Sequence, residues 1–118
     1  MRRRHHDLLA WQESIKLVKV VYALTASFPP SETYGLCSQM RRAAVSVPSN
    51  IAEGAARDSQ KEFAHFLVIA RGSLSELETQ LVITKELGYS VDPSPLEAQV
   101  DQVFKLLAGL LKKIRLET

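Results

Sequence analysis

The chain has 118 residues, of which 46% are hydrophobic and 24% charged. This balance is typical of an ordinary globular protein and excludes a disordered or fibrous chain. A chain of this length buries roughly two-thirds of its unfolded surface, so we expect residues 1–118 to form one domain without disulfides or a structural metal. The net charge of +2 is smaller than the strong basic footprint of a dedicated nucleic-acid binder.

The cellular setting is predicted from three features. Cys37 is the single cysteine, which fits a reducing compartment. No apolar run reaches the ~18 residues that a membrane span needs. The basic N-terminal segment is not followed by the apolar core of a signal peptide. We therefore expect a cytoplasmic protein with no membrane partner.

The first predicted helix begins after Asp7, a suitable N-cap, and ends at Phe28-Pro29-Pro30. Two neighbouring apolar stripes run along it in the 3,4 spacing of an amphipathic helix. The first stripe is Leu8, Trp11, Ile15, Val18, Tyr22 and Thr25. The second stripe is Leu17, Val21, Leu24 and Phe28.

The second predicted helix covers about residues 31–57. Its apolar stripe is Leu36, Met40, Ala43, Val47, Ile51 and Ala55. Because this stripe keeps its phase across Pro48, we interpret the proline as a bend within one helix rather than as a break.

Two capping boxes predict the starts of the remaining helices, one at Ser59–Glu62 and one at Ser94–Glu97. Gly88 should end the third helix as its C′ residue. The third stripe is Phe63, Phe66, Ala70, Leu74, Leu77, Leu81 and Thr84. The fourth stripe is Leu96, Val100, Val103, Leu107, Leu110 and Ile114.

These segments predict an all-α fold, namely an antiparallel up-down four-helix bundle with short connections. The apolar surface is wider than one such bundle can bury. The first helix has a second stripe, and the fourth adds Phe104, Leu106 and Leu111 outside its own. We therefore expect the surplus surface to contact another subunit in a homo-oligomer.

Polar residues of the second helix repeat as regularly as the apolar ones. They are Gln39, Arg42, Ser46, Asn50, Glu53 and Arg57. We favour a structural network between helices over a ligand site. Pairing the second and third helices about their turn places Arg42 opposite Glu76 and Ser46 opposite Arg71, so an Arg42–Glu76 ion pair is expected.

Basic residues are the candidates for phosphate contact. They are Arg41, Arg42, Arg57, Lys61 and Arg71, together with Arg2, Arg3 and Arg4 of a basic N-terminal tail over about residues 1–6. The alternative for the tail is a disordered, solvated segment. No aromatic residues interleave with these basic residues in the sequence, so we expect no base-stacking platform.

Catalysis and metal binding are not favoured. Glu62 and His65 match the Glu-x-x-His unit of di-iron bundles, but such a site needs a second copy and two further glutamates, of which Glu53 is one candidate. Cys37 has no evident histidine partner, and no serine triad or glycine-rich phosphate loop occurs. We expect no cofactor, no metal and no enzymatic activity.

The chain resembles a known family in three stretches. The opening contains Trp11-Gln12, Val21-Tyr22, Phe28-Pro29 and Tyr34-Gly35-Leu36. The central signature is residues 38–54, SQMRRAAVSVPSNIAEG. The third stretch contains Gly72-Ser73, residues 76–81 (ELETQL) and Leu87-Gly88-Tyr89. Over about residues 8–112 the chain is similar to the bacterial four-helix-bundle proteins first associated with intervening sequences in 23S ribosomal RNA genes.

The resemblance implies a four-helix protomer assembled into a ring-like homopentamer, with nucleic-acid binding as a proposed role. A related branch, the accessory proteins of diversity-generating retroelements, binds a reverse transcriptase and its RNA through basic surfaces. A reverse transcriptase is therefore an expected partner only if the chain belongs to that branch. Our leading hypothesis is a homo-oligomeric RNA- or DNA-binding adaptor, and the alternative is a protein–protein scaffold with no nucleic-acid role.

Overall fold

The computed structural model describes residues 2–117 and contains, within them, four α-helices and no strand. The helices are α1 (Leu9–Thr25), α2 (Leu36–Ala55), α3 (Gln60–Glu86) and α4 (Ser94–Leu116). Single 3-10 turns precede α1 at Arg4–Asp7 and α2 at Pro30–Glu32. The all-α prediction is confirmed.

The four helices surround one apolar core. Helix α1 packs beside α2 and α4, and α3 packs beside the same two helices. Met40 of α2 contacts Thr84 of α3, whereas Ser46 contacts Ser73, so residue numbers rise along α2 as they fall along α3. Within residues 2–117, none of the helices combines the length and apolar character that crossing a membrane requires.

Of the two stripes predicted for α1, the second is the one that faces the core. Its buried residues are Ala10, Ser14, Leu17, Val21, Leu24 and Thr25. Of the first stripe, Ile15 is 45% exposed and Tyr22 is 43% exposed. The small side chains of Ala10 and Ser14, which belong to neither predicted stripe, extend the buried face toward the helix start.

Helix α2 begins at Leu36, later than predicted, because residues 31–35 form a turn. The Glu32 carboxylate accepts a hydrogen bond from the Leu36 backbone N–H at 3.2 Å, which satisfies one of the free donors of the helix start. The predicted α2 stripe is buried, which confirms it, and the helix continues through Pro48 as predicted rather than breaking there.

A close approach between α2 and α3 occurs at Gly54. A Cβ placed there would lie 2.7 Å from the Phe66 Cβ and 3.2 Å from the Phe63 carbonyl oxygen. The absence of a side chain at Gly54 therefore allows the two helices to pack tightly just before their connecting turn.

Helix α3 begins and ends near the predicted positions. The Ser59 hydroxyl accepts a hydrogen bond from the Glu62 N–H at 3.1 Å and donates one of 3.3 Å to the Glu62 carboxylate. Gly88 has the positive φ of 71° expected of a C′ residue. Leu67 is buried and Phe66 only half-buried, so the predicted stripe is displaced by one residue there.

Helix α4 differs from prediction at both its cap and its core face. Pro93, not Ser94, occupies the N-cap position, and no side chain at that position caps the helix. The Asp92 carboxylate accepts a hydrogen bond of 3.0 Å from the Ser94 N–H. Leu111 is buried where Leu110 was expected. The second capping box was therefore wrong, and Leu111 takes the place of Leu110 in a buried stripe that is otherwise as predicted.

Candidate nucleic-acid interface

The basic N-terminal segment is ordered over the residues that the structure describes. The Arg4 guanidinium lies 4.6 Å above the centre of the Phe63 ring and donates a hydrogen bond of 3.3 Å to the Gln60 side chain. Arg2 forms an ion pair of 2.7 Å with Asp7 across the 3-10 turn. The segment therefore packs on the start of α3, and the disordered-tail alternative does not describe residues 2–7; Met1 lies outside the described residues.

The end of α4 reaches the same place. Gln60 donates a hydrogen bond of 2.8 Å to the Glu117 carboxylate, just beyond the last turn of α4. The N-terminal segment, the α2–α3 turn and the C-terminal turn of α4 thus share one end of the molecule, which we call the basic end. Its basic residues are Arg2, Arg3, Arg4, Arg57, Lys61, Lys112, Lys113 and Arg115.

The basic end has a surplus of positive charge. Its eight basic residues face five acidic ones, a net charge of +3, against +2 for the whole chain. The acidic residues are Asp7, Glu53, Asp58, Glu62 and Glu117. Sequence reasoning found five of the basic residues and missed Lys112, Lys113 and Arg115, because they are far from the others along the chain and only the fold brings them together.

Arg57 illustrates how side chains at the basic end are held. Its guanidinium pairs with the Glu53 carboxylate at 2.8 Å and lies 4.8 Å above the centre of the Phe66 ring. Exposed ion pairs of this kind contribute little to stability, but they fix the position of the guanidinium. Lys61, Lys112 and Lys113 are exposed, so their ammonium groups can reach phosphates.

A second basic surface lies between α1 and α2. We call it the α1–α2 groove; it has a volume of about 550 Å³, and its lining includes Tyr22, Tyr34, Arg41, Arg42 and Val45. Aromatic residues therefore lie beside the basic ones in space, although none interleaves with them along the chain. Tyr22 belongs to α1 and Tyr34 to the connection before α2, so only helix packing brings them beside the arginines.

The two arginines of the groove differ in their contacts. Arg41 is half-buried, its Nε donates a hydrogen bond of 2.9 Å to the Thr25 hydroxyl, and its guanidinium lies 4.4 Å above the centre of the Tyr22 ring. Arg42 is exposed at the edge of the groove. Packing therefore restrains the Arg41 guanidinium while Arg42 extends into solvent.

The polar face of α2 forms some of its bonds with α3. The Ser46 and Ser73 hydroxyl oxygens are 2.8 Å apart in a hydrogen bond, and the Asn50 amide donates to the Ser46 carbonyl at 2.8 Å and to its hydroxyl at 2.9 Å. Ser46 thus faces Ser73, two residues further along α3 than the predicted Arg71. Arg71 itself is exposed on α3, away from the basic end.

The expected Arg42–Glu76 ion pair is absent from the described residues. Both side chains line a polar groove of about 340 Å³ between α2 and α3, together with Gln39, Ser46 and Ser73. The Glu76 carboxylate instead accepts a hydrogen bond of 3.3 Å from Gln80. Because Arg42 is exposed rather than half-buried, water solvates its charge and no buried partner is required.

Residues with metal-binding chemistry do not converge in the part of the chain that the structure describes. Within residues 2–117, no group of three or more His, Cys, Asp and Glu side chains is placed to hold a metal ion. Glu62 is hydrogen-bonded to Ser59, and Glu53 is paired with Arg57.

The fold and these surfaces define a class of small helical protein with one basic end and a second, aromatic-lined basic groove. The family model of the 23S rRNA-intervening sequence protein matches residues 6–109, most of the chain, and the chain belongs to this family. No curated protein is similar enough to count as a match. The α1–α2 groove lies inside the matched region, whereas six of the eight basic-end residues lie outside it.

Proposed function

We propose that this chain is a non-enzymatic, homo-oligomeric adaptor of the cytoplasm that binds RNA or DNA through phosphate contacts. The observation that carries the proposal is the basic end, where eight basic residues from three separate parts of the chain lie together. The family of the chain, named for an intervening sequence of 23S rRNA, is consistent with a nucleic-acid partner.

The mechanism is neutralisation of phosphate charge. Each lysine or arginine that contacts a phosphate releases a condensed counterion, so affinity falls as salt rises. Such contacts position the protein on the nucleic acid but do not read bases. We therefore expect affinity with little sequence preference at the basic end.

Subunit assembly is the second part of the proposal. Helix α3 exposes four β-branched side chains, Val68, Ile69, Val82 and Ile83, and α1 exposes Leu9, Ile15 and Tyr22. Exposed apolar patches mark interaction surfaces. The sequence predicted the surplus on α1 and α4. Of the extra residues predicted on α4, Leu111 is buried and Phe104 and Leu106 are half-buried, so the exposed apolar residues lie mainly on α1 and α3.

We propose that these faces join antiparallel up-down bundles into a ring-like homo-oligomer, with five subunits as the expected number. In a ring with one subunit orientation, the basic ends lie on the same side. Their affinities for one nucleic acid then combine, because each further contact is intramolecular. A small charge per subunit is compatible with useful affinity for this reason.

The test measures binding of labelled RNA and DNA by fluorescence anisotropy at about 50 mM and 200 mM salt. The triple variant Lys61→Ala, Lys112→Ala, Lys113→Ala should lower affinity by about tenfold or more and flatten the dependence on salt. The matched control, Lys16→Ala, Lys19→Ala, Lys85→Ala, removes the same charge away from the basic end and should change affinity by less than about threefold. Equal losses of affinity in the two triple variants, or no binding by the unchanged chain at ~50 mM salt, would contradict the proposal.

A protein–protein scaffold with no nucleic-acid role is the alternative that the exposed face of α3 favours. Under it, Val82 and Ile83 bind a different protein, which is a reverse transcriptase only if the chain belongs to the retroelement branch. A pull-down that recovers the same partner before and after nuclease treatment, and loses it on Val82→Glu, would support this alternative.

A further inference from the structure

The lining of the α1–α2 groove carries positive charge. Two arginines lie along it, and no acidic residue is among the residues that line it. Its remaining lining is aromatic, apolar or hydroxyl-bearing: Tyr22, Thr33, Tyr34, Cys37, Ser38, Val45 and Ser46. Glu76 is near Arg42 but belongs to the neighbouring groove between α2 and α3. A pair of cations beside aromatic rings, with no acidic residue in the same lining, suits an anion that carries a planar group.

The acid closest to the groove along the chain is already engaged. Glu32, two residues before Tyr34, accepts hydrogen bonds from the Tyr89 hydroxyl and the Leu36 N–H. Both contacts fix its carboxylate at the start of α2. Glu32 therefore does not neutralise Arg41 or Arg42.

Arg41 is preorganised for an anion. One guanidinium N–H is used by Thr25, and the planar face rests on Tyr22, which leaves the terminal amino groups in a restrained position. A guanidinium that is already ordered loses less side-chain entropy when it contacts a phosphate. Arg42, exposed beside it, supplies a second charge.

Tyr34 provides an unused aromatic face. It is 96% exposed, although it lies in the connection immediately before α2 and lines the groove. A base can stack on such a ring only if it is not already stacked between neighbours in a duplex. The groove therefore combines a phosphate contact with a platform for an unpaired base.

Resting on the proposed nucleic-acid function, we propose that the α1–α2 groove binds unpaired nucleotides, with a phosphate at Arg41 and Arg42 and a base on Tyr34. The consequence is a preference for single-stranded RNA or DNA over duplex. The basic end binds both forms, because a phosphate backbone is present in each. The groove adds affinity only for the single strand.

The experiment compares the full chain and three variants on a single strand and a duplex of equal length and salt. Tyr34→Ala should weaken single-strand binding by about 5- to 100-fold, the usual loss for one stacked base, and leave duplex binding unchanged within about twofold. Tyr34→Phe, which keeps the ring, should retain single-strand affinity. Arg42→Ala should weaken the single strand more than the duplex, and light scattering of each variant should show an unchanged subunit number.

The outcomes separate this inference from the proposed function. If neither nucleic acid binds the unchanged chain, the proposed function and the inference both fail. If both bind but Tyr34→Ala changes neither, or weakens both alike, the inference is overturned while the proposed function stands. If Tyr34→Ala alters the subunit number, the groove is a contact between subunits and the inference is likewise overturned.

Discussion

The Tyr89 hydroxyl donates a short hydrogen bond of 2.5 Å to the Glu32 carboxylate, across 57 positions of the chain. This bond joins the α1–α2 connection to the α3–α4 connection. The Tyr89 ring also packs against Phe28 at 5.5 Å, and the other Glu32 oxygen accepts from the Leu36 N–H. Two chain connections and the start of α2 are therefore tied together at the end of the molecule away from the basic end.

This relationship predicts a pH dependence of stability. The hydrogen bond from Tyr89, followed by that from the Leu36 N–H, holds the pKa of Glu32 below its usual value of 4.5. The same bond raises the pKa of Tyr89 above 10.0. Because the pKa of Glu32 is lower in the folded chain, its contribution to stability is present above pH 4.5 and is lost as the pH falls through the folded pKa. Because the pKa of Tyr89 is higher in the folded chain, its contribution is present below pH 10.0 and is lost as the pH rises through the folded pKa.

Tyr89→Phe should therefore lower the free energy of unfolding at about pH 7, and the difference from the unchanged chain should shrink below about pH 4. Denaturant titrations across this range measure it. Tyr34→Phe is the control, because that exposed ring makes no such bond and its substitution should be neutral throughout. A Tyr89→Phe difference that is equally large at pH 3 would show that the Tyr89 hydroxyl does not stabilise the fold through the ionised Glu32 carboxylate.

Gly54 and Gly72 should respond to alanine with opposite signs. Both lie inside helices, where alanine is favoured by about 1 kcal/mol. At Gly54 the new Cβ would meet Phe66 at 2.7 Å, whereas at Gly72 no atom lies within 4 Å. Gly54→Ala should destabilise the fold by about 1–3 kcal/mol through overpacking. Gly72→Ala should stabilise it by up to about 1 kcal/mol, and thermal unfolding of the two variants would compare them directly.

Two adjacent leucines test which side of α4 faces the core in its last turns. Leu111 is 2% exposed in the core, whereas Leu110 is only partly buried at its edge. Leu111→Ala should cost about 2–5 kcal/mol, because it leaves a cavity among buried side chains. Leu110→Ala should cost clearly less. Equal losses from the two substitutions, measured by urea unfolding, would mean that the last turns of α4 are rotated from the position described.

The helix caps yield three further variants. Ser59→Ala should cost about 1 kcal/mol, because the Ser59 hydroxyl accepts from the Glu62 N–H. Ser94→Ala should change stability by less than about 0.5 kcal/mol, since Ser94 caps nothing with its side chain. Asp92→Ala is expected to weaken the start of α4 instead, because the Asp92 carboxylate accepts from the Ser94 N–H. A larger loss of unfolding free energy for Ser94→Ala than for Ser59→Ala would contradict this assignment of the caps.

Much of the candidate interface could not be predicted from the sequence. Arg41 and Arg42 are adjacent and easily found, but Tyr22 comes from the preceding helix, and no local pattern links it to them. Lys113 likewise joins Arg4 at the basic end only because the C-terminal turn of α4 lies beside the start of α3. Spatial clusters of this kind depend on which helices are neighbours, and helical periodicity does not contain that information.

The sequence by itself determined the number of helices, their approximate limits and the buried stripe of α2, because periodicity, capping residues and breakers act within a few residues of the chain. The tertiary structure alone decided which of two adjacent stripes on α1 faces the core. It also decided that Arg41 is restrained by Tyr22 while Arg42 is exposed. The physical reason is that a helix with two apolar stripes satisfies its own hydrogen bonds in any rotation, so its orientation depends on the shapes of the helices packed against it.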